Sequence, residues 1–197
     1  MTAKRSSRVR RKTTETHVSI SLNLDGAGES HVKTGIPFMD HMLALFAKHG
    51  LLDLRVEGTG DLAVDDHHLA EDLGISLGEA LKEALVAKEG ICRYGHAVVP
   101  MDEALAEASV DLSGRPYLVY DGPCKARKVK NFEVALVPEF FRAFAFSGCM
   151  NLHVSLRYGT NTHHILEAVF KAVGRAVGAA VRVDPKIRGV LSTKGRL

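Results

Sequence analysis

Two stretches decide the fold, DDHHLAEDLGISLGEALKEAL (65–85) and NTHHILEAVFKAVGRAVGAAV (161–181), and both follow one pattern. Each places a histidine pair just ahead of a glutamate and then repeats an apolar residue at every fourth position. Glycine and alanine also recur at matching places when the stretches are aligned on their histidine pairs. This spacing predicts two long helices, each packing an apolar stripe on a core.

The correspondence continues upstream of both helices. PFMDHMLALFAKHGLLDLRV (37–56) matches PEFFRAFAFSGCMNLHV (138–154), and each segment has the pattern of a helix, a glycine stop and a strand. Alternating runs such as THVSISLNL (16–24) and RPYLVYDG (115–122) precede these segments and predict strands. The repeating unit is therefore about ββαβα, and two units predict an α+β fold with two sheets and four helices.

These units also predict the domain organisation. We expect one domain over residues 1–197, made of two pseudo-repeats at roughly 8–92 and 93–185, with a tail over 186–197. An apolar content of 46% and a charged content of 25% are those of an ordinary globular protein. The chain has no apolar run near the roughly 20 residues of a membrane span, and its first residues do not have the pattern of a secretory signal. We therefore expect a cytoplasmic protein that does not enter a membrane.

Charge and cysteine content narrow the function further. The net charge of +3 is small, which argues against a nucleic-acid partner, although KRSSRVRRK (4–12) is strongly basic. That segment favours a solvated tail or a first edge strand over a site for anions or RNA. Cys92, Cys124 and Cys149 have no zinc-like spacing, so free thiols are expected.

The histidine pairs have the spacing of metal ligands. His67 and Glu71 are four residues apart on a helix and share a face, as do His163 and Glu167. The second histidine of each pair points about 100° away and therefore suits a different ion. Asp65 and Asp66 precede the first pair, either to cap the helix or to orient the imidazoles, and we favour the cap.

The repeat also aligns His41 with Glu139, which gives each half four candidate ligands. The eight are His41, His67, His68, Glu71, Glu139, His163, His164 and Glu167. Imidazole and carboxylate ligands without a thiolate fit manganese or iron better than zinc. His49 lies eight residues after His41 on the same helical face, so we expect both to line the substrate pocket.

Other residues are candidates for holding an anionic substrate. Arg93 in ICRYG, Arg115 in SGRPY, and Ser192 with Lys194 in LSTKG offer guanidinium, hydroxyl and ammonium donors near strand or loop ends. Such groups are the usual means of holding a phosphate. Each is weak evidence alone, since exposed basic residues are common.

Taken together, these residues resemble the imidazoleglycerol-phosphate dehydratase family. The matching segments include RKTTETHVSISLNLDGAG, GIPFMDHMLALFAKHG, DDHHLAEDLGISLGEAL, SGRPY, EFFRAFAFSG, NTHHILEAVFKA and STKG, and they extend from about residue 8 to residue 195. The resemblance implies a duplicated half like the second domain of ribosomal protein S5. It implies two Mn²⁺ per active site and a homo-oligomer of twenty-four subunits in an octahedral shell, with sites shared between subunits.

The resemblance also implies roles for the candidate residues. The eight ligands named above would hold the metals, while Arg93, Arg115, Ser192 and Lys194 would bind the substrate phosphate. Glu15, in the ETHVS segment, matches a glutamate that contacts substrate. Glu139 departs from the family, many of whose members have histidine there, which leaves a ligand in place but could shift the metal preference.

The implied reaction removes water from imidazole glycerol phosphate to give imidazole acetol phosphate in histidine biosynthesis. The lost hydrogen is not adjacent to a carbonyl, so the hypothesis is that two cations convert the imidazole to a metal-bound imidazolate, which expels the hydroxyl. A diazafulvene-like intermediate would then lose its acidified C–H proton to a glutamate. Glu167, Glu71 and Glu15 are the candidates for this proton transfer, and the sequence does not rank them.

Three alternatives remain at this point. A dinuclear hydrolase would use the same ligands to activate water, although no hydrolase motif such as HExxH is present. An RNA-binding module would use the basic N-terminus but gives no reason for two metal motifs. A metal buffer protein would leave Arg93, Arg115 and the STKG segment without a role.

Overall fold

The computed structural model describes residues 5–122 and 126–197, so Cys124 and the first residue of the basic segment, Lys4, lie outside the described residues. The first half contains β1 (Ser6–Lys12), β2 (Thr16–Asn23), β3 (Ser30–Lys33), α1 (Pro37–Gly50), β4 (Asp53–Gly60) and α2 (His67–Leu85). The second contains β5 (Tyr94–Met101), β6 (Ala104–Asp111), β7 (Tyr117–Asp121), β8 (Lys128–Val129), β9 (Phe132–Glu133), α3 (Leu136–Ser147), β10 (Asn151–Tyr158) and α4 (Thr162–Val181).

The two halves have equivalent four-stranded sheets. The strand orders are β1-β2-β4-β3 and β5-β6-β10-β7, and in each sheet only the last pair is parallel. The α+β class with two sheets and four helices is thus confirmed. That the two halves are a duplication of one unit stays a prediction from the sequence.

Each four-stranded sheet has one strand more ahead of the first helix of its half than the sequence patterns predict, and the second half adds a separate two-stranded sheet of β8 and β9. In the basic segment, β1 buries only Val9 and pairs with β2 as an edge strand, so it carries almost no hydrophobic alternation. β3 has four residues and only Val32 approaches the core. Burial alternates along β5, but its inward side chains at Gly95, Ala97 and Val99 are small, so its sequence shows little hydrophobic alternation. Edge strands, very short strands and strands with small inward side chains are not detected from the periodicity of apolar residues.

The four helices cover the inner faces of the sheets and form a shared core. Its largest buried side chains come from both halves and include Phe140, Phe144, Phe170, Met39 and Met42. α1 packs on α4 and α2 packs on α3, so every close helix pair joins one half to the other. Among the described residues, no helix is both long and apolar enough to cross a membrane.

Glycines set the distance between these paired helices. A Cβ built on Gly174 of α4 would lie less than 3.0 Å from the carbonyl oxygen of Phe46 on α1. In the other pair, a Cβ on Gly78 of α2 would lie 2.6 Å from the carbonyl oxygen of Phe144 on α3. The helix backbones are therefore closer than any side chain at these positions would permit.

We expect Gly174→Ala to destabilise the protein. Alanine favours a helix by about 1 kcal/mol over glycine, but overpacking against rigid backbone costs about 1–3 kcal/mol. The melting temperature should fall below that of the wild type in thermal unfolding, while Arg175→Ala, an exposed neighbour on the same helix, should leave it nearly unchanged. A Gly174→Ala variant as stable as the wild type would show that the helices can separate.

Candidate metal centre

The close contact of α1 and α4 brings three predicted ligands together. His41 lies on α1, and His163 and Glu167 lie one turn apart at the start of α4. The Nε2 atoms of His41 and His163 are 3.5 and 3.3 Å from Oε2 of Glu167. One ligand atom from each residue lies within 4.8 Å of the others. Two imidazoles and a carboxylate at this separation fit a divalent metal ion with nitrogen and oxygen ligands.

Glu167 is held as a carboxylate within this group. Its side chain is buried, and its Oε1 accepts an ion-paired hydrogen bond from Lys171 Nζ at 2.6 Å. Burial raises the pKa of Glu167, but the hydrogen bond and charge of Lys171, with His41, outweigh it and lower the pKa below its usual value. Lys171 was not predicted, although it follows Glu167 by four residues. The first half has Ile75 at the matching place, so the repeat gave no signal.

The two helices that carry the histidine pairs, α2 and α4, each have a side-chain cap at their N-terminus. Oδ1 of Asp65 accepts a hydrogen bond from the backbone N–H of His67 at 2.8 Å, and Oδ1 of Asn161 accepts one from that of His163 at 2.9 Å. The cap interpretation is therefore confirmed for Asp65, whereas the side chain of Asp66 makes no such bond. Both caps fix the first turn, from which the imidazoles project.

The second histidine of each pair is turned away from the first and held by a carboxylate. Nδ1 of His68 lies 3.0 Å from Asp61 Oδ2, and Nδ1 of His164 lies 2.7 Å from Glu103 Oε2. These hydrogen bonds raise the pKa of both histidines, and the bond to His164 contributes most to lowering the pKa of Glu103 to about 2. Asp61 and Glu103 were not predicted.

The other predicted ligand set consists of His67, Glu71 and Glu139, and its side chains lie farther apart. His67 and Glu71 begin α2, which packs on the helix that carries Glu139. Glu139 Oε2 instead accepts a hydrogen bond from Arg142 on its own helix at 3.2 Å. Within residues 5–122 and 126–197, no second group of three such ligands lies as close together as the first. The role of this set stays a prediction.

All four predicted phosphate-binding residues line one cleft of about 750 Å³ at the C-terminal segment, namely Arg93, Arg115, Ser192 and Lys194. The cleft also contains Lys186, Arg188 and Arg196, so it is strongly basic. Arg93 forms an ion pair with Asp111 at 2.7 Å and donates from Nη1 to the carbonyl of Leu191 at 2.8 Å. These bonds fasten the segment against β5 and β6.

This basic cleft and the metal ligands lie at opposite ends of one helix. α4 has 20 residues, which corresponds to a length of about 30 Å. His163 is in its first turn, whereas the backbone N–H of Arg93 donates to the carbonyl of Ala180 in its last turn. The two parts of the predicted site are therefore far apart within one chain.

The remaining predicted residues lie elsewhere. His49 lines a different cleft, of about 680 Å³, at the C-terminal ends of α1 and α4. Burial lowers its pKa, as do the nearby charges of Lys171 and Arg175. Glu15 lies in the turn between β1 and β2, with Oε2 3.9 Å from Nδ1 of His68.

The chain is similar to known proteins over nearly its whole length. The model of the imidazoleglycerol-phosphate dehydratase family matches residues 34–177. The dehydratase of Pelobacter propionicus is 56% identical over 98% of this chain and 99% of its own length, and that of Acetivibrio thermocellus is 58% identical over 96% and 97%.

Solved structures with this name share the fold. The Staphylococcus aureus enzyme superposes with a TM-score of 0.82 at 41% identity, covering 91% of this chain and 99% of its own. The Pyrococcus furiosus enzyme, solved in complex with (S)-C348, gives a TM-score of 0.83 at 39% identity, covering 96% of this chain and 100% of its own. The present chain therefore belongs to the imidazoleglycerol-phosphate dehydratase family and is a hydro-lyase.

Proposed function

We propose that this protein dehydrates imidazole glycerol phosphate to imidazole acetol phosphate in histidine biosynthesis, using two Mn²⁺ per active site. The observation that carries the proposal is the group of His41, His163 and Glu167, which two halves of the chain supply jointly. Family membership favours this reaction over a hydrolase, an RNA-binding module or a metal buffer. A cytoplasmic location remains part of the proposal.

The chain's ligands divide into two sets related by the repeat. His41, His163 and Glu167 would hold one ion, and Glu139, His67 and Glu71 are their counterparts for the other. His68 and His164 face away from the first histidines and would complete sites formed with another chain. Bound cations would withdraw electron density from the substrate's imidazole and favour loss of its N–H proton.

Among the three candidate glutamates, we propose Glu15 as the group that removes the carbon-bound proton. Glu167 is already engaged by two histidines and Lys171, and Glu71 is its counterpart in the second ligand set. Glu15 belongs to neither set, and its side chain is 53% exposed at a turn. Proton removal by its carboxylate and departure of the neighbouring hydroxyl as water would leave an enol, which becomes the ketone.

The basic cleft would bind the phosphate. Arg115, Ser192 and Lys194 offer donors there, while Arg93 is already paired with Asp111 and would contribute charge and position. Three carbons separate the substrate's imidazole ring from its phosphate, and this distance is far shorter than the length of α4. The cleft of one chain must therefore serve the metal ligands of another.

We propose that the protein is a homo-oligomer, an octahedral shell of twenty-four subunits, with active sites shared between subunits. Besides the distance along α4, exposed apolar side chains support this proposal. Tyr94, Val98 and Tyr117 lie on the outer face of the second sheet and are about half exposed in the single chain. They belong to β5 and β7, the two edge strands of this sheet, where exposed apolar groups offer a surface that an assembly can cover.

Metal removal should abolish turnover, and Mn²⁺ should restore it. His67→Ala and His163→Ala should each lower kcat/KM at least about 100-fold even with Mn²⁺ in excess, because each removes one ligand. His153→Ala, an exposed strand histidine outside the site, is the matched control. Full activity of the chelator-treated wild type would contradict the proposed metal dependence.

Subunit mixing tests the shared site. Arg115→Ala and Glu167→Gln should each be nearly inactive alone, since one loses a phosphate donor and the other a metal ligand. Co-expressed together, they should recover up to about a quarter of wild-type activity, because random assembly pairs intact halves at that frequency. If the mixed assembly is as inactive as either parent, each active site lies within one chain.

A further inference from the structure

Glu103 bridges the turn between β5 and β6 to the start of α4. It occupies a two-residue turn with Asp102, whose φ is 45°. Oε1 of Glu103 accepts hydrogen bonds from the backbone N–H groups of Thr160 and Asn161, at 3.1 and 2.6 Å. Oε2 faces Nδ1 of His164 at 2.7 Å. One carboxylate oxygen is thus fixed by the backbone, while the other is aimed at the imidazole.

This contact determines which ring nitrogen of His164 is free. An ionised carboxylate only accepts hydrogen bonds, so a neutral His164 must carry its proton on Nδ1. Nε2 then presents a lone pair, and its nearest polar contacts are long, 3.5 Å to Asn161 Nδ2 and 3.9 Å to Asp102 Oδ2. That is the tautomer and orientation a metal-binding imidazole requires.

The first half achieves the same result with a different residue. Glu15 immediately precedes β2 as Glu103 precedes β6, so the two glutamates occupy equivalent positions in their hairpins. In the first half, however, Asp61 Oδ2 lies 3.0 Å from Nδ1 of His68, whereas Glu15 Oε2 is 3.9 Å away. Asp61 therefore does for His68 what Glu103 does for His164, and Glu15 is not needed for this purpose.

We propose that Glu103 is a positioning residue that fixes the tautomer and direction of His164 for metal binding, with Asp61 in the same role for His68. The inference rests on the proposed function, in which both histidines are metal ligands. It also explains how two equivalent glutamates diverged. Glu103 orients a ligand, while Asp61 leaves Glu15 available to the substrate.

The Glu103→Gln variant distinguishes a role in orienting His164 from a role only in holding the loop at Thr160 and Asn161. Its amide oxygen can replace Oε1 as acceptor for the backbone N–H groups of Thr160 and Asn161. Its NH₂ group would then face Nδ1 of His164 and donate to it, which places the imidazole proton on Nε2. Glu103→Gln thus preserves the size and the loop contacts but selects the tautomer that cannot bind metal through Nε2.

The test is Mn²⁺ titration of metal-stripped protein, with free Mn²⁺ followed by electron paramagnetic resonance. Glu103→Gln and Glu103→Ala should both weaken binding of one ion about 10- to 100-fold. The melting temperature of metal-free Glu103→Gln should stay near that of the metal-free wild type. Glu103→Ala should also lower that temperature, since it loses the loop contacts. Asp61→Asn should weaken Mn²⁺ binding similarly.

Glu107→Gln is the matched control. Glu107 lies on β6, next to this turn, and its Oε1 is 3.2 Å from Nε2 of His96, a histidine outside the proposed site. This variant should bind Mn²⁺ like the wild type. Wild-type affinity in Glu103→Gln would overturn the positioning role and leave the proposed function intact. A stripped wild type that binds no Mn²⁺ would overturn both.

Discussion

The structure depends on how closely the helices of one half approach those of the other. Gly174 and Gly178 of α4 lie directly against the backbone of α1 at Phe46 and Gly50, and Gly74 and Gly78 of α2 lie against α3. A larger side chain at these points would move the helices apart. The same contact brings His41 to within 5.7 Å of His163 between ring centroids, so the packing of the core and the geometry of the predicted metal ligands have one cause.

This arrangement explains why the histidine motifs occur twice. A single HHxxE segment supplies two ligands on one helical face, which is too few to hold an ion firmly. A helix from the opposite half brings His41 to the first set, and the repeat predicts the same role for Glu139 in the second. The second histidines, which their carboxylate partners turn outward, suit an assembly in which neighbouring chains complete each site.

The sequence predicted the features that depend on local periodicity. The helices with four-residue apolar stripes, the paired spacing of His163 with Glu167, and the α+β class all follow from short-range pattern. β1, β3 and β5 were missed or left open because an edge strand or a strand with small inward residues leaves little hydrophobic alternation. Lys171, Asp61 and Glu103 were missed because no periodic pattern marks them. Glu103 meets His164 only through tertiary packing, Asp61 lies in the irregular loop before α2, and Lys171 has no counterpart in the repeat.

We propose that His41, His163 and Glu167 form one ligand set across the two halves. The most direct measurement is the number of Mn²⁺ ions bound per chain in His41→Ala and in the wild type, by elemental analysis after equilibrium dialysis. The His41→Ala variant should lose one of two ions and keep the other, with the assembly intact. Retention of both ions with unchanged affinity would contradict it.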